Sequence, residues 1–501
     1  MVQTQQDWFA KWALYSPEQI AVKELETGRS LTYQQLNRQA DYLASYLAQE
    51  AKLQKGDRIA ILAENCLELF VLFGVAQKTG CMLVPLNYRL AGAELDYLLE
   101  NANPMLALVQ ETFQASFSQT SYSQNEKPRW TWSELRRVID QTPENQPAYP
   151  ISAVNEDDPI FILYTSGTTG FPKGALYSHK MLFWNSINTA ISLIINSESR
   201  TINVMPPFHT GGWNVLTTPF LHHGATVCLT QKFDAKSLLH QLQEERVTLF
   251  MGVPTMLKML ADEPGFTDAQ FPDLHYIIVG GEPMPIPLIE RWDERSVPIR
   301  QGYGMTEVGP NLTSLHQRDA IRKKGSIGRP NFYVQTRIVD AQGKEVGTNE
   351  SGELWLKGPM VTPGYWKNPE ATAASKAGEW FKTGDLVRCD AEGYLYVVDR
   401  IKNMFISGGE NVYPAEVERV LIQHEAVAEV VVIGVPDEQW GEVGKAIVQV
   451  QAGASFELPD LKTYCQTKLA KFKIPKHLQI VESIPKNDTG KIDRKSLKTT
   501  A

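Results

Sequence analysis

Tyr164-Thr165-Ser166-Gly167-Thr168-Thr169-Gly170-Phe171-Pro172-Lys173-Gly174 follows directly on the apolar run Ile160-Phe161-Ile162-Leu163. The run reads as a buried strand, and the stretch after it as a turn crowded with small hydroxyl residues. Glycine lets backbone N–H groups close around an anion without a Cβ in the way, and Ser and Thr hydroxyls add donors. Lys173 supplies a positive charge, so the stretch predicts a polyphosphate cradle at the end of a strand. It is not a Walker A loop, which needs Gly-Lys-Ser/Thr opening a helix; here Pro172 precedes Lys173 and Gly174 follows it. A flexible surface loop has the same composition, and the stretch alone leaves that reading open.

Working outward, apolar strands alternate with helical patterns on both sides. Thr32 is placed to cap a helix running to about Leu47, and Arg58–Leu62 and Cys81–Pro85 read as strands around a helix near 65–78. A second run spans about 160–300, with strands at Ile160–Tyr164, Thr201–Met205, Thr226–Leu229, Leu249–Met251 and Tyr276–Val279. Such alternation predicts parallel α/β sheets. Between the runs, residues 112–130 are polar and read as a surface loop. From Gly325 the texture shifts to short strands with Gly, Asn and Asp turns, which predicts a small antiparallel, β-barrel-like subdomain. After Asp399-Arg400 alternation resumes: a helix near 414–423, strands at Val430–Val435 and Lys445–Val450, and a helix near 458–470. The expected architecture is α/β. A large N-terminal domain, 1–398, holds two α/β subdomains and the barrel-like one, and a smaller α+β C-terminal domain covers 399–501.

At about 150 residues per domain, 501 residues suggest roughly three structural units. Apolar residues at 43% and charged residues at 21% make an ordinary globular composition and exclude collagen, coiled coil and wholesale disorder. The balance of 49 Lys and Arg against 57 Asp and Glu, −8 formally, disfavours a nucleic-acid-coating protein. The five cysteines form no C-x-x-C pair, which predicts neither a disulfide framework nor a zinc site and fits a reducing compartment. No basic-then-apolar leader opens the chain, and the run Leu69–Ala76 is far short of the ~20 residues that span a bilayer. A cytoplasmic protein without an integral membrane segment is expected. The oligomeric state stays open, homodimer included.

The glycine-rich stretch resembles the signature of the adenylate-forming (ANL) superfamily, which contains acyl-CoA synthetases, peptide-synthetase adenylation domains and beetle luciferases. Further matches recur in that family's order: Gly280-Gly281-Glu282-Pro283, Gln301-Gly302-Tyr303-Gly304-Met305-Thr306-Glu307, Lys382-Thr383-Gly384-Asp385-Leu386, Asp399-Arg400-Ile401-Lys402 and Pro485-Lys486-Asn487-Asp488-Thr489-Gly490-Lys491.

The resemblance implies roles residue by residue. Thr165, Ser166, Gly167, Thr168, Thr169 and Lys173 would cradle the phosphates of ATP. Tyr303, with Gly304 and Met305, would stack on adenine, covered from the other side by Gly281-Glu282-Pro283; many relatives have Ala where Glu282 stands. Thr306 would donate to the α-phosphate and Glu307 would hold Mg2+, which favours one or two carboxylates with phosphate oxygens and waters. Asp385, in a tight Thr-Gly-Asp turn, would hold the ribose hydroxyls, with Arg400 as a second ribose or phosphate contact. Lys491 would be the catalytic cation between two anions, the attacking carboxylate and the α-phosphate. Asp399 matches a hinge at which the C-terminal domain swings. After rotation Ser407, Gly408 and Gly409 would face the thiol arm of CoA. Each residue also has a plainer structural reading: a packed Tyr, a turn Asp, a solvated charged tail, an inert Gly-Gly turn.

Met205–Asn214 resembles the segment preceding the acyl pocket, with His209 at the position of an aromatic or His gate near the carboxylate and Trp213 at that of a tunnel-gating tryptophan. A satisfied structural His and a core Trp are the alternatives. Relatives that activate amino acids carry an aspartate here; this segment has none, and an unpaired buried ammonium would be costly. Thr217, Met251 and Val253 are further candidates for the pocket wall. The expected activity is an ATP-dependent (AMP-forming) fatty acid–CoA ligase for medium or long chains, with ATP, Mg2+ and CoA as cofactors and co-substrates. An aryl acid–CoA ligase and an enzyme loading a separate carrier protein are the alternatives. A kinase-type NTPase and a non-catalytic nucleotide-binding module are more distant rivals.

Overall fold

The computed structural model describes residues 6–150, 154–165, 172–408, 410–466, 468–487 and 491–499. The chain divides into two compact units: residues 1–324 with 328–335 and 356–381, and residues 325–327 with 336–355 and 382–501.

In the first unit a six-stranded sheet runs in the order Arg129–Thr131, Leu106–Val109, Arg58–Leu62, Met82–Pro85, Pro159–Thr165, Lys173–Ser178. Its first five strands are parallel and the last is antiparallel. Parallel strands are covered on both faces, which is why Ile59–Leu62 and Leu106–Val109 are apolar without alternation and wholly buried. The helix Tyr33–Glu50 starts where expected: Thr32 Oγ1 accepts from Gln35 N and Gln35 Oε1 accepts from Thr32 N, a reciprocal cap. Its buried stripe of Tyr33, Leu36, Ala40, Leu43, Ala44 and Leu47 has helical spacing.

A four-stranded sheet has the order Ser30–Thr32, Ile20–Glu24, Thr226–Leu229, Arg200–Asn203, and a five-stranded one the order Leu249–Gly252, Tyr276–Val279, Ile299–Met305, Gly309–Ser314, Arg329–Pro330. The two expected runs are thus interleaved. Pro159–Thr165 joins the first run's sheet beside Met82–Pro85, while Ile20–Glu24 pairs with Thr226–Leu229, some two hundred residues on. Local periodicity announces a strand but not its partner.

Residues 112–130 are not a loop. They form the 3-10 turn Glu111–Phe113, helices Gln114–Phe117 and Ser121–Gln124 and the edge strand Arg129–Thr131. The ordering comes from two apolar residues in the polar text: Phe117 and Tyr122 are both buried, and the Tyr122 hydroxyl donates to Pro128 O at 2.9 Å.

In the second unit, Trp380–Cys389 pairs antiparallel with Leu395–Arg400, consistent with the antiparallel texture expected after Gly325. Beyond it, Val427–Asp437 and Gly441–Val450 form a long antiparallel hairpin, with His477–Ile480 parallel to the second arm. Helices Pro414–Leu421 and Leu458–Cys465 cover a core of Val417, Leu421, Val430, Val432, Ala446, Val448 and Leu461. The helix expected to reach 470 stops at Cys465, and a 3-10 turn at Lys471–Lys473 follows, just before Pro475. No helix among the described residues is long and apolar enough to cross a membrane.

Candidate active site

The ends of the glycine-rich stretch lie side by side. Thr165 closes one strand, Lys173 opens the next, and the two are paired antiparallel, with Tyr164 opposite Gly174. The stretch therefore leads from strand to strand and not into a helix, in line with its departure from Walker A. Ser166, Gly167, Thr168 and Thr169 lie outside the described residues. Gly174 has a packing reason: a Cβ there would stand 2.7 Å from Ile162 Cγ2.

Tyr276–Val279 runs parallel to Ile299–Met305 with Val279 opposite Gln301, so the loop Gly280-Gly281-Glu282-Pro283 emerges beside Gly302-Tyr303 at the carboxyl ends of the strands. Ligands of open α/β sheets bind at that end. Gly281 has φ +86, a conformation that favours glycine. The Tyr303 hairpin is drawn in tightly: a Cβ on Gly304 would lie 2.2 Å from the carbonyl carbon and oxygen of Pro310. Tyr303, Met305 and Thr306 are half-buried.

Glu307 sits in the 3-10 turn Thr306–Val308 and is buried. Its Oε1 accepts from the Tyr365 hydroxyl at 3.0 Å and from the Thr165 hydroxyl at 3.4 Å. Among the described residues no donor reaches Oε2. A buried carboxylate with one oxygen committed and the other open, beside the paired ends of the glycine-rich stretch, fits Mg2+ held by one carboxylate with phosphate and water oxygens. Among the described residues no cluster of three or more His, Cys, Asp or Glu side chains forms a conventional metal cage. Tyr365 was not singled out in the sequence. Its signal was Thr362-Pro363-Gly364-Tyr365-Trp366, a proline and a glycine beside two aromatics outside the recurring motifs. The Lys173 ammonium lies 5.6 Å from the centre of the same Tyr365 ring.

In the second unit Asp385 is buried, and it lies inside the strand Trp380–Cys389 rather than in a tight turn. Gly384, at φ +69, kinks the strand; its N donates to Glu353 Oε1 at 3.0 Å, and Asp385 N donates to Thr383 Oγ1. Arg400 pairs with Asp385 across the ladder, Nε to Oδ1 at 2.8 Å. Lys402 beside them is held below its ordinary value by burial and by the Arg400 and Lys491 charges, against the pull of Asp385. Lys491 thus shares the electrostatic neighbourhood of Asp385 and Arg400. It is exposed, in a turn closed by Asn487 N donating to Lys491 O at 2.7 Å; Asp488-Thr489-Gly490 lie outside the described residues.

Asp399 is buried and accepts from Arg400 N, Asn403 Nδ2 and Ala415 N at 2.6, 3.1 and 2.8 Å, all on its C-terminal side. Ser407 is buried in the hairpin Phe405–Ser407/Glu410–Val412. Gly408 has φ +60 and its N donates to Trp440 O; a Cβ there would meet the Trp440 ring at 2.6 Å. Gly409 lies outside the described residues.

Residues 9–366 match the family model of the AMP-binding enzyme, and residues 416–491 that of the AMP-binding enzyme C-terminal domain. The chain belongs to the AMP-binding enzyme family. Within it the chain falls in the acyl-CoA synthetase branch of the adenylate-forming superfamily. It is 37% identical over 485 residues to a feruloyl-CoA synthase of Amycolatopsis sp, covering 97% of this chain and 96% of that one. It is 36% identical over 484 residues to a long-chain-fatty-acid–CoA ligase of Mycobacterium tuberculosis, covering 96% and 95%. The o-succinylbenzoate CoA synthetase of Bacillus subtilis, solved with its acyl-adenylate intermediate, superposes with a TM-score of 0.86 at 32% identity, covering 98% of each chain.

In this AMP-binding enzyme the segment matching the acyl pocket is tightly braced. Asn203 Nδ2 donates to Gly212 O at 2.9 Å, and a Cβ on Gly212 would lie 2.4 Å from Pro206 O. A π-helical turn, Gly211–Val215, follows; such turns are rare and recur at functional sites. Trp213 is buried, its indole N–H donates to Pro207 O at 2.8 Å, and its ring lies 5.5, 5.7 and 5.1 Å from Phe70, Phe73 and Phe161. His209 is half-buried with its ring 4.4 Å from Phe208. Thr217 and Met251 are buried and Val253 half-buried.

Proposed function

We propose that this AMP-binding enzyme is an ATP-dependent acid–CoA ligase. A carboxylate oxygen of the acid attacks the α-phosphorus of ATP; the bond from that phosphorus to the β-phosphate bridging oxygen breaks, and pyrophosphate leaves. The thiol of CoA, losing its proton, then attacks the acyl carbon. The carbon–oxygen bond of the mixed anhydride breaks and AMP departs. No side-chain nucleophile is required.

The observation that carries this reading is the buried carboxylate of Glu307, which among the described residues has one open oxygen, beside the paired ends of the glycine-rich stretch. Lys173 and the hydroxyls around it would neutralise the phosphates, Thr306 would donate to the α-phosphate, and Tyr303 would stack on adenine against Gly281-Glu282-Pro283. Magnesium bound at Glu307 supplies charge stabilisation for the departing pyrophosphate. Asp385, oriented by Arg400, would hold the ribose diol. Lys491 would supply the cation for the first step, and Ser407, Gly408 and Gly409 would serve the CoA arm. The working division is 1–398 and 399–501. Asp399 would be the pivot: among the described residues its carboxylate grips residues that follow it. None of the described cysteines is in a disulfide, which fits the cytoplasm.

For the acid, the absence of a carboxylate in Met205–Val215 argues against an α-amino acid. A medium- or long-chain fatty acid fits the fatty-acid ligase among its relatives, and an aryl acid fits the feruloyl-CoA synthase. The packing of Trp213 favours the aryl reading. As a pocket wall, an indole tied to Pro207 O and wedged among three phenylalanines would be fixed, whereas a long chain would need it to swing aside. His209 would stand at the carboxylate end of that pocket. A panel of hydroxycinnamic, arylacetic and C6–C18 fatty acids with ATP, Mg2+ and CoA decides it, scored by AMP release and thioester mass. Aryl acids are expected to give the highest kcat/KM, by about tenfold or more; a peak at C12 or longer would return the assignment to fatty acids. ADP as product, or no acid-dependent pyrophosphate, would remove the ligase reading altogether.

A further inference from the structure

The segment Thr362–Trp366 is zipped between the strand that carries Lys173 and the turn that carries Glu307. Leu176 N donates to Gly364 O at 3.0 Å and Trp366 N to Gly174 O at 2.7 Å, with Tyr365 bridged to Ala175. On the other side Thr362 N donates to the backbone oxygen of Glu307 at 2.7 Å, and the Thr362 hydroxyl donates to Leu176 O. Tyr365 therefore projects from a backbone that cannot shift without disturbing both neighbours. Its hydroxyl takes Glu307 Oε1, and the face of its ring lies 5.6 Å from the Lys173 ammonium.

We propose that Tyr365 is the positioning residue that sets the metal-binding carboxylate and the phosphate-binding lysine against each other. Its hydroxyl engages Oε1 and so fixes the Glu307 rotamer, leaving Oε2 to the metal that Glu307 would hold, and its ring holds the Lys173 ammonium by a cation–π contact. The inference rests on the reading of Glu307 as the Mg2+ ligand given above. One ring thereby ties together two groups that must both meet the triphosphate, and the two functions are separable: Phe keeps the ring and loses the hydroxyl, while Leu loses both.

The test is Mn2+ binding by electron paramagnetic resonance, with Mn2+ in place of Mg2+ and an ATP analogue carrying a methylene bridge between the α- and β-phosphorus. Mg2+ activation of acid-dependent pyrophosphate exchange is measured in parallel on the full chain. For Tyr365→Phe the Mn2+ dissociation constant and the Mg2+ activation constant rise together by about tenfold, the scale of one charge-assisted hydrogen bond, while the KM for the acid stays put. Tyr365→Leu adds a loss of analogue affinity at saturating metal. Wild-type metal binding in Tyr365→Phe, with Glu307→Gln impaired, overturns the role of Tyr365 alone. Wild-type metal binding in Glu307→Gln overturns the metal reading and this inference with it. An equal rise in the constants for metal, analogue and acid in Tyr365→Phe would mark a merely structural residue and likewise overturn the proposal.

Discussion

Lys491→Ala is expected to lower acid-dependent pyrophosphate exchange by about 10³-fold, and to leave CoA thioester formation from preformed acyl-adenylate within about threefold of the native enzyme. The first half-reaction drives a carboxylate into a phosphate that is already negative. A cation placed where that charge accumulates is worth on the order of 10²–10³ in rate. In the second half-reaction the electrophile is a neutral acyl carbon and the leaving group is a good one, so the same cation has little left to stabilise. Lys491 is exposed in its turn and is sensed by Lys402, next to the Asp385–Arg400 pair. Half-reaction assays with chemically prepared acyl-adenylate read the split. Equal losses in both steps would refute the division of labour.

Gly304→Ala is the second large effect, and it arises from packing alone. The new methyl would stand 2.2 Å from the Pro310 carbonyl carbon and oxygen, and 2.5 Å from Pro310 Cα. Those are backbone atoms of the paired strand Gly309–Ser314, so no side chain can rotate away. The hairpin must open. That costs about 3 kcal/mol by the usual scale of overpacking and moves Tyr303 and Thr306 together. The KM for ATP is expected to rise at least about 100-fold, with a lower Tm, while the segment around Asn203 and Gly212 keeps its own bracing. Isothermal titration with ATP and a thermal melt check both. Native ATP affinity would show that the hairpin does not carry the adenine contact.

Much of this is legible in the sequence itself. Thr32 announced its helix because capping chemistry is local, and the strands at Thr226–Leu229 and Tyr276–Val279 fall at the residues where their apolar runs suggested. What local pattern cannot encode is pairing at long range. Nothing in Ile20–Glu24 says that it will lie against Thr226–Leu229, so the two runs looked like two separate sheets. The stretch 112–130 was misread for the opposite reason: two buried aromatics order it, and its polar majority hides them. Asp385 was expected in a turn because Thr-Gly-Asp has turn composition; the structure uses Gly384 to kink a strand, which keeps Asp385 opposite Arg400. Tyr365 escaped because its part is defined by neighbours at positions 165, 173 and 307, which no window on the sequence brings together.

The most direct measurement follows an oxygen atom. An accepted acid carrying 18O in its carboxylate is turned over with unlabelled ATP and CoA, and the AMP released is weighed. Attack by the carboxylate on the α-phosphorus, followed by cleavage of the acyl carbon–oxygen bond, predicts one 18O in each AMP and none in pyrophosphate. AMP without label, or label carried by a phosphate split from ADP formation, would contradict activation of the acid as its adenylate.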